Sequence, residues 1–305
     1  MRKKLLIIFW TLVGLAVILI FTIGISIWTY NLPTQTDKSL PSVSVVTSAE
    51  KIEKFKIDNT GKNYQRNFFV SDIHGRFASL KKALADVRFA KADRLFVLGD
   101  TIDRGPEGMH ALLYLAHTLP AEGYHVVVLV GNHEDMWFQM ASKGVTDTER
   151  QSNLNGQIDL YEGQAPNGWE ESRAEWNKLS ANQRAFLLNE MAIGFNEPRL
   201  LVIKVARKWL TLSHSANFTK PFEQETLNDL EWYNQMKDTD ETFQQSIAKK
   251  LNVPEGDVLT LIGHIGGLRF GTHPHYIDLD DTNTMNFNTN PEVQLYQVET
   301  GQFYH

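Results

Sequence analysis

Two aspartates three residues apart, Asp100 and Asp103, stand beside Arg104 and between glycines in GDTIDRGPEG (Gly99–Gly108), directly after the apolar run RLFVL (Arg94–Leu98). Carboxylates that close repel each other unless a cation lies between or beside them. The stretch therefore asks for a metal, an anion, or both. Four further loops carry the same chemistry: SDIHG with Asp72 and His74, GNHED with Asn132 and His133, LSHS with His214, and IGHIGG with His264. A histidine at the end of a strand is, taken alone, ordinarily a hydrogen-bonded loop residue. Five loops supplying Asp, His, Asn and Gly, each after an apolar run, point to one shared site.

The chain has no cysteine, so disulfides and thiolate ligands are absent and any metal must be held by Asp, Glu, Asn and His. Two divalent cations about 3.5 to 4 Å apart need a bridging carboxylate, which offers one oxygen to each. Asp100 is the expected bridge, and a hydroxide between the metals the expected nucleophile. Neutral imidazoles and an amide oxygen complete both shells with little added negative charge, leaving positive charge for a phosphate. Glycines beside the ligands are expected to permit close backbone approach and positive φ.

These residues need strand ends to hold them. NFFVSD (Asn67–Asp72) is a short apolar run, followed by Phe77, Leu80, Leu84 and Val87 at helical spacing. The same order recurs in RLFVLGD before PEGMHALLYLAHTL and in HVVVLVGNHED before MWFQMASK. Alternating strands and helices predict parallel pairing in an α/β sheet, whose ligands collect at the carboxyl ends of the strands. Between about 144 and 191 the pattern loosens into an expected helical insert over that edge, with Trp169 and Trp176 as packing residues. RLLVIKV, KWLTLSH, VLTLIGH, HYIDLD and VQLYQVE predict a second sheet, with helices over 223–234 and 241–251. EKFKI (Glu53–Ile57) reads as an edge strand, and His273 and His275 as surface or turn residues.

The 305 residues, 42% hydrophobic and 22% charged, exclude disorder of the whole chain, and a formal charge of −6 argues against nucleic acid as a partner. The start of the chain stands apart. Leu5 to Tyr30 carries no charged residue, long enough to span a membrane, whereas a cleaved signal peptide has a shorter apolar core. Arg2, Lys3 and Lys4 predict a cytoplasmic N-terminus at 1–4, a transmembrane anchor at 5–30 and a linker at 31–62. The remainder, 63–305, would then lie outside the cytoplasm, on the periplasmic side of a single-pass membrane protein.

The set DIHG, GDTIDRG and GNHE, followed by an isolated histidine after each of two strands, resembles the calcineurin-like metallophosphoesterase superfamily. Within it the chain is similar to the bacterial and phage type of serine/threonine phosphoprotein phosphatase. The intervals from Asp72 to Asp100 and from Asp100 to Asn132 fit that family, and the resemblance runs from about Asn67 to the C-terminus. It implies a four-layer α/β/β/α sandwich for residues 63–305. It also implies Asp72 and His74 on a first metal, Asp100 bridging, and Asn132, His214 and His264 on a second. The metals are expected to be Mn²⁺, with Fe or Zn²⁺ as alternatives. His133 would protonate the leaving oxygen, Asp103 would orient His133, and Arg104 would clamp the phosphate, with Asn132 also facing it.

Gly266, two residues after His264, stands where many relatives have a further histidine, which favours the phosphoprotein phosphatase branch. The chain departs from that branch in one respect: no arginine occurs between Ser215 and Gly263, and Asn234 or Arg269 is the candidate replacement for a second phosphate arginine. The expectation is a membrane-tethered, two-metal phosphomonoesterase acting on phosphoproteins at Ser, Thr or Tyr. Its rivals are a hydrolase of small phosphoesters or nucleotide polyphosphates, and a tethered metal-binding module with little turnover.

Overall fold

The computed structural model describes residues 55–58, 63–161, 168–192, 199–232, 242–264, 266, 270–273, 276–282 and 292–305, with two isolated positions at 32 and 40. The chain divides into two compact units, 1–34 and 35–305; the account below concerns the second.

Two mixed sheets face each other. The first has the order β11-β10-β2-β3-β4, built from β2 (Asn67–Val70), β3 (Arg94–Val97), β4 (His125–Val128), β10 (Leu295–Gln297) and β11 (Gln302–Tyr304). β2, β3 and β4 are parallel, as the alternation of strand and helix predicts, and β10 joins β2 antiparallel. The second has the order β1-β5-β6-β7-β9-β8, from β1 (Phe55–Asp58), β5 (Leu200–Val205), β6 (Lys208–Leu212), β7 (Val258–Ile262), β8 (Gly271–Thr272) and β9 (Tyr276–Asp278). β6, β7 and β9 are parallel neighbours.

Alternation along the strands makes the sandwich. Phe69, Phe96, Leu98 and Tyr296 from the first sheet meet Leu201, Ile203, Leu212, Leu261 and Ile277 from the second in one buried cluster. Phe69 stacks on Phe96 with ring centroids 5.0 Å apart. The intervening residues Leu200, Val202, Ile262 and Tyr276 turn the other way, onto Phe218, Leu230, Phe243 and Ile247 of an outer helical layer. Burying a Phe or Leu side chain contributes about 1.5 to 3 kcal/mol, so each sheet needs both its covers.

The helices are short. α1 (Phe77–Asp86) follows β2, and α2 (Gly108–Leu113) follows β3, continuing through one π turn at Tyr114–Thr118 into Leu119–Ala121. α3 (Asn132–Ala141) follows β4. Three helices then occupy the loosely patterned region: α4 (Asp147–Tyr161), α5 (Trp169–Trp176) and α6 (Ala181–Ala192). α7 (Leu227–Trp232) and α8 (Thr242–Leu251) cover the second sheet.

The expected membrane-spanning helix is corrected here. Among the described residues no helix is long and apolar enough to cross a membrane. α4 has 15 residues, roughly 22 Å of rise, short of the roughly 30 Å hydrocarbon layer, and its sequence is polar. The stretch 5–30 that carried the expectation lies outside the described residues. The anchor, the membrane partner, the single-pass topology and the placement of the domain outside the cytoplasm are therefore withdrawn.

Candidate metal centre and active site

Because β2, β3 and β4 run parallel, the loops that leave their carboxyl ends emerge together. They deliver Asp72 and His74, then Asp100, Asp103 and Arg104, then Asn132 and His133. β6 and β7 are parallel in the other sheet, and the residues just beyond their ends are His214 and His264. The two edges are joined through these residues. His214 Nδ1 donates to the Leu98 carbonyl at 2.7 Å, and the His264 N–H donates to Asp72 Oδ2 at 3.0 Å.

One oxygen is at the centre. Asp100 Oδ2 lies 3.3 Å from His214 Nε2, 3.7 Å from His74 Nε2 and 3.8 Å from His133 Nε2. Asn132 Oδ1 lies 3.0 Å from His214 Nε2 and 2.9 Å from His264 Nδ1. Asp72 Oδ1 completes the other side at 3.8 Å from His74 Nε2. Two groups have ligand atoms within 4.8 Å of one another: Asp100 with His214 and His264, and Asp100 with His74 and His133. A carbonyl can only accept, so His74 Nδ1, 2.9 Å from the Ile102 carbonyl, and His214 Nδ1 carry hydrogens, and each Nε2 is turned to the cluster. Convergent carboxylates, an amide oxygen and imidazole nitrogens turned inward are a donor set that fits divalent cations.

Backbone strain marks the same residues. Asp72, His74, Asp100, Asp103, Arg104 and His264 have φ between 46 and 72°, the left-handed region that side chains avoid. Glycines were expected to take this role, and Gly75 (φ 68°), Gly99 (φ 95°) and Gly266 (φ 68°) do, but the site residues beside them share it. Other adjoining glycines allow close approach: a Cβ on Gly131 would lie 2.2 Å from Asp100 Oδ1, and one on Gly263 would lie 2.2 Å from Asp72 Oδ2. What holds the strained loop is Glu134, fully buried at the N-terminus of α3. Its carboxylate accepts the N–H groups of Asp100 (2.9 Å), Thr101 (2.8 Å), Ile102 (3.2 Å) and Gly131 (3.0 Å). The last of these belongs to a capping box, whose sequence signal is a glutamate three residues into the helix.

His133 and Asp103 form a buried pair. His133 Nδ1 donates to Asp103 Oδ2 at 2.6 Å, and ring Nε2 faces the cluster. Burial works against a charged imidazole here, but the Asp100 charge and the bond to Asp103 override it and raise the His133 pKa. Burial, with Arg104 and His133 nearby, drives His74 well below the usual imidazole range, which keeps it neutral. The Arg104 guanidinium reaches between the two rings, with Nη1 2.8 Å from His74 Nε2 and Nη2 3.4 Å from His133 Nε2. At Asp100, burial pushes upward, yet His214 and His133 hold the carboxyl well below its ordinary value.

Nine of the residues singled out in the sequence meet where the two sheet edges join: Asp72, His74, Asp100, Asp103, Arg104, Asn132, His133, His214 and His264. Asn234, Arg269 and His275 lie outside the described residues. His273 stacks on Tyr276 at 4.4 Å. Trp176 is buried against Trp137, ring centroids 5.8 Å apart, as a packing residue.

Other participants were not singled out. Asp280, buried just after β9, is close enough to Asp72 and Arg104 for their charges to act on it. Arg199, buried, directly precedes β5. It pairs with buried Glu231, which in turn feels His214. Gly168 and Ser172, at the start of α5, accept the backbone N–H groups of Arg104 and Asp103, each at 2.9 Å. No periodicity flags such contacts; only the capping-box glutamate had a local signature.

A calcineurin-like phosphoesterase family model matches residues 66–296. Serine/threonine-protein phosphatase 1 of Salmonella typhimurium is 38% identical over 76 residues, covering 25% of this chain and 32% of that protein. A symmetrical bis(5'-nucleosyl)-tetraphosphatase of Hamiltonella defensa is 41% identical over 69 residues, covering 22% and 24%. The chain thus spans about a third or less of the length of these curated relatives. A solved structure provisionally assigned as a diadenosine tetraphosphatase shares the fold, at TM-score 0.50 and 14% identity, over 82% of this chain and 94% of that one. With the match running through every strand end that carries a candidate ligand, the chain belongs to the calcineurin-like phosphoesterase family.

Proposed function

We infer that this chain hydrolyses phosphomonoesters at a two-metal site. The observation that carries the reading is Asp100 Oδ2, a single carboxylate oxygen facing three imidazole nitrogens within 3.3 to 3.8 Å. Asp72, His74 and Asp100 would hold one divalent cation, and Asp100, Asn132, His214 and His264 the other, with Mn²⁺ the expected metal. When bound, the pair supplies Lewis-acid charge to phosphate oxygens and lowers the pKa of water.

The chain's own residues supply the rest. Arg104 offers two parallel N–H groups to the phosphate, a geometry that suits its oxygens. Water attacks phosphorus opposite the ester oxygen and gives up a proton to solvent, the bond to the ester oxygen breaks, and His133 Nε2 donates a proton to that oxygen, so that an alcohol and inorganic phosphate leave and His133 is reprotonated from solvent. Asp103 holds the His133 ring through Nδ1 and stabilises its charged form before that transfer. In this reading the hydrolytic unit runs over 63–305, with the helices between about 144 and 191 as an insert at its rim.

The substrate class is a phosphoprotein at Ser, Thr or Tyr, favoured by the GDTIDRG and GNHE pair and by the Salmonella relative. A nucleotide polyphosphate is the second reading, favoured by the tetraphosphatase relatives. The test is to strip the purified chain of metal and follow 4-nitrophenyl phosphate as Mn²⁺ is added back, beside Asp100→Asn. Activity should return with metal and fall by about 1,000-fold in the variant. Mn²⁺ binding without hydrolysis of this ester, of a phosphoserine peptide or of diadenosine tetraphosphate would refute the reading. A preference for the tetraphosphate over the peptide would select the second substrate class.

A further inference from the structure

The segment opening α5 reaches the loop of Asp103 and Arg104 from 64 to 69 residues further along the chain. Asp103 and Arg104 are consecutive residues at φ 68 and 69°. A left-handed residue costs about 1 to 2 kcal/mol, so two in succession persist only where their surroundings hold them. Their N–H groups are both taken by one short stretch: Asp103 by Ser172 Oγ and Arg104 by the Gly168 carbonyl, each at 2.9 Å.

The fit at both contacts is close. Ser172 is fully buried. Gly168 has φ 73°, and a Cβ there would lie 2.4 Å from Arg104 Cα, so only glycine lets the segment approach. A hydroxyl that accepts an amide N–H keeps one hydrogen to donate, and Asp103 Oδ1 is buried without a hydrogen-bond partner. One turn later Glu175 accepts the N–H groups of Met109 (2.7 Å) and His110 (2.9 Å), anchoring the start of α2 and no residue of the site.

We propose that Gly168 and Ser172 are positioning residues of the hydrolytic site, Gly168 placing the anion clamp Arg104 and Ser172 placing the proton-donating pair Asp103 and His133. The proposal rests on the phosphomonoesterase reading and deepens it: the helical region is a working part of the site. Its two contacts act on different steps. Misplacing Asp103 weakens proton delivery to the leaving oxygen, which matters for a poor leaving group and little for a good one. Misplacing Arg104 weakens the grip on phosphate whatever the leaving group.

The test uses the full chain with Mn²⁺ and compares phenyl phosphate, a poor leaving group, with 4-nitrophenyl phosphate, a good one. Ser172→Ala should lower kcat about tenfold on phenyl phosphate and less than about threefold on 4-nitrophenyl phosphate, with Mn²⁺ binding unchanged. Ser172→Thr, which keeps the hydroxyl, should restore most of the loss. Gly168→Ala should raise KM for both esters, and the inhibition constant of inorganic phosphate, by about tenfold. Glu175→Gln should lower the melting temperature without changing the ratio between the esters.

An equal loss on both esters in Ser172→Ala, or no loss, in a folded protein with Mn²⁺ bound, overturns the proposal. If Gly168→Ala does not fold, the two Ser172 variants decide. A wild-type chain that binds Mn²⁺ and hydrolyses neither ester, nor a phosphoserine peptide, nor diadenosine tetraphosphate overturns the functional reading and this proposal with it; a chain that hydrolyses neither aryl ester but does hydrolyse one of the others overturns this proposal alone. Wild-type turnover with a flat leaving-group response in Ser172→Ala overturns this proposal alone.

Discussion

The two sheets build their halves of the site by different means. On the first sheet, Asp72, His74, Asp100, Asp103 and Arg104 sit on left-handed backbone, and the loops are laced together. His74 N–H donates to the Asp100 carbonyl at 2.9 Å, Gly75 N–H to that of Thr101 at 2.8 Å, and Glu134 gathers four more amides. The second sheet contributes two imidazoles just past strand ends; the first sheet orients the His214 ring through the Leu98 carbonyl and holds the His264 backbone N–H through Asp72. Half of the centre is therefore self-supporting and half is docked onto it. A buried carboxylate surrounded by amides fixes a loop within one element pair, whereas a ligand held by the opposite sheet is placed only when the sandwich closes.

That contrast can be broken at its stronger side first. Glu134→Ala removes the acceptor for four buried N–H groups and should destabilise the chain by about 3 kcal/mol or more, read from urea unfolding, with activity lost as well. A loss below about 1 kcal/mol would show that the loop holds itself. His133→Asn should lower kcat about 100-fold while Mn²⁺ stays bound, since the ring donates a proton rather than a ligand in this reading. Loss of metal by equilibrium dialysis would instead make His133 a ligand, as its grouping with His74 and Asp100 allows.

On the docked side, His264→Asn should weaken Mn²⁺ binding about 30-fold and move stability by less than about 1 kcal/mol, because the ring hangs from a loop end. A large fall in stability there would erase the distinction between the halves. The smallest effect lies outside both. Burial raises the Glu190 pKa from 4.5 to about 7. The folded chain therefore holds a proton that the unfolded chain releases between about pH 4.5 and 7. The associated stability is full below pH 4.5 and is lost as pH rises through 7. Glu190→Gln should flatten that slope and gain about 1 kcal/mol at pH 8, with no gain at pH 4.5, the figure being reduced for the partial exposure of the side chain.

The parallel β2-β3-β4 core was legible because apolar runs alternate with helical periodicity, and the candidate ligands because each directly follows such a run. The wiring around them was not. Ser172 reads as one more polar residue in a helix, and Arg199 as the charged start of a strand. Their meaning depends on which distant backbone or partner they meet, and spacing along the chain carries no record of that. The apolar stretch 5–30 misled for a related reason: hydropathy and length describe what a segment permits, and the described helices include none that spans.

The amino-acid sequence by itself determined which side chains are available for chemistry and that they stand at strand ends, since residue type and period follow directly from the order of residues. Only the tertiary structure decided that Asp100 Oδ2 faces three imidazoles, that Glu134 holds the strained loop, and that the start of α5 grips Asp103 and Arg104. Those arrangements come from closing two sheets over a common core, where burial makes every unmet N–H costly and so selects the partner that meets it.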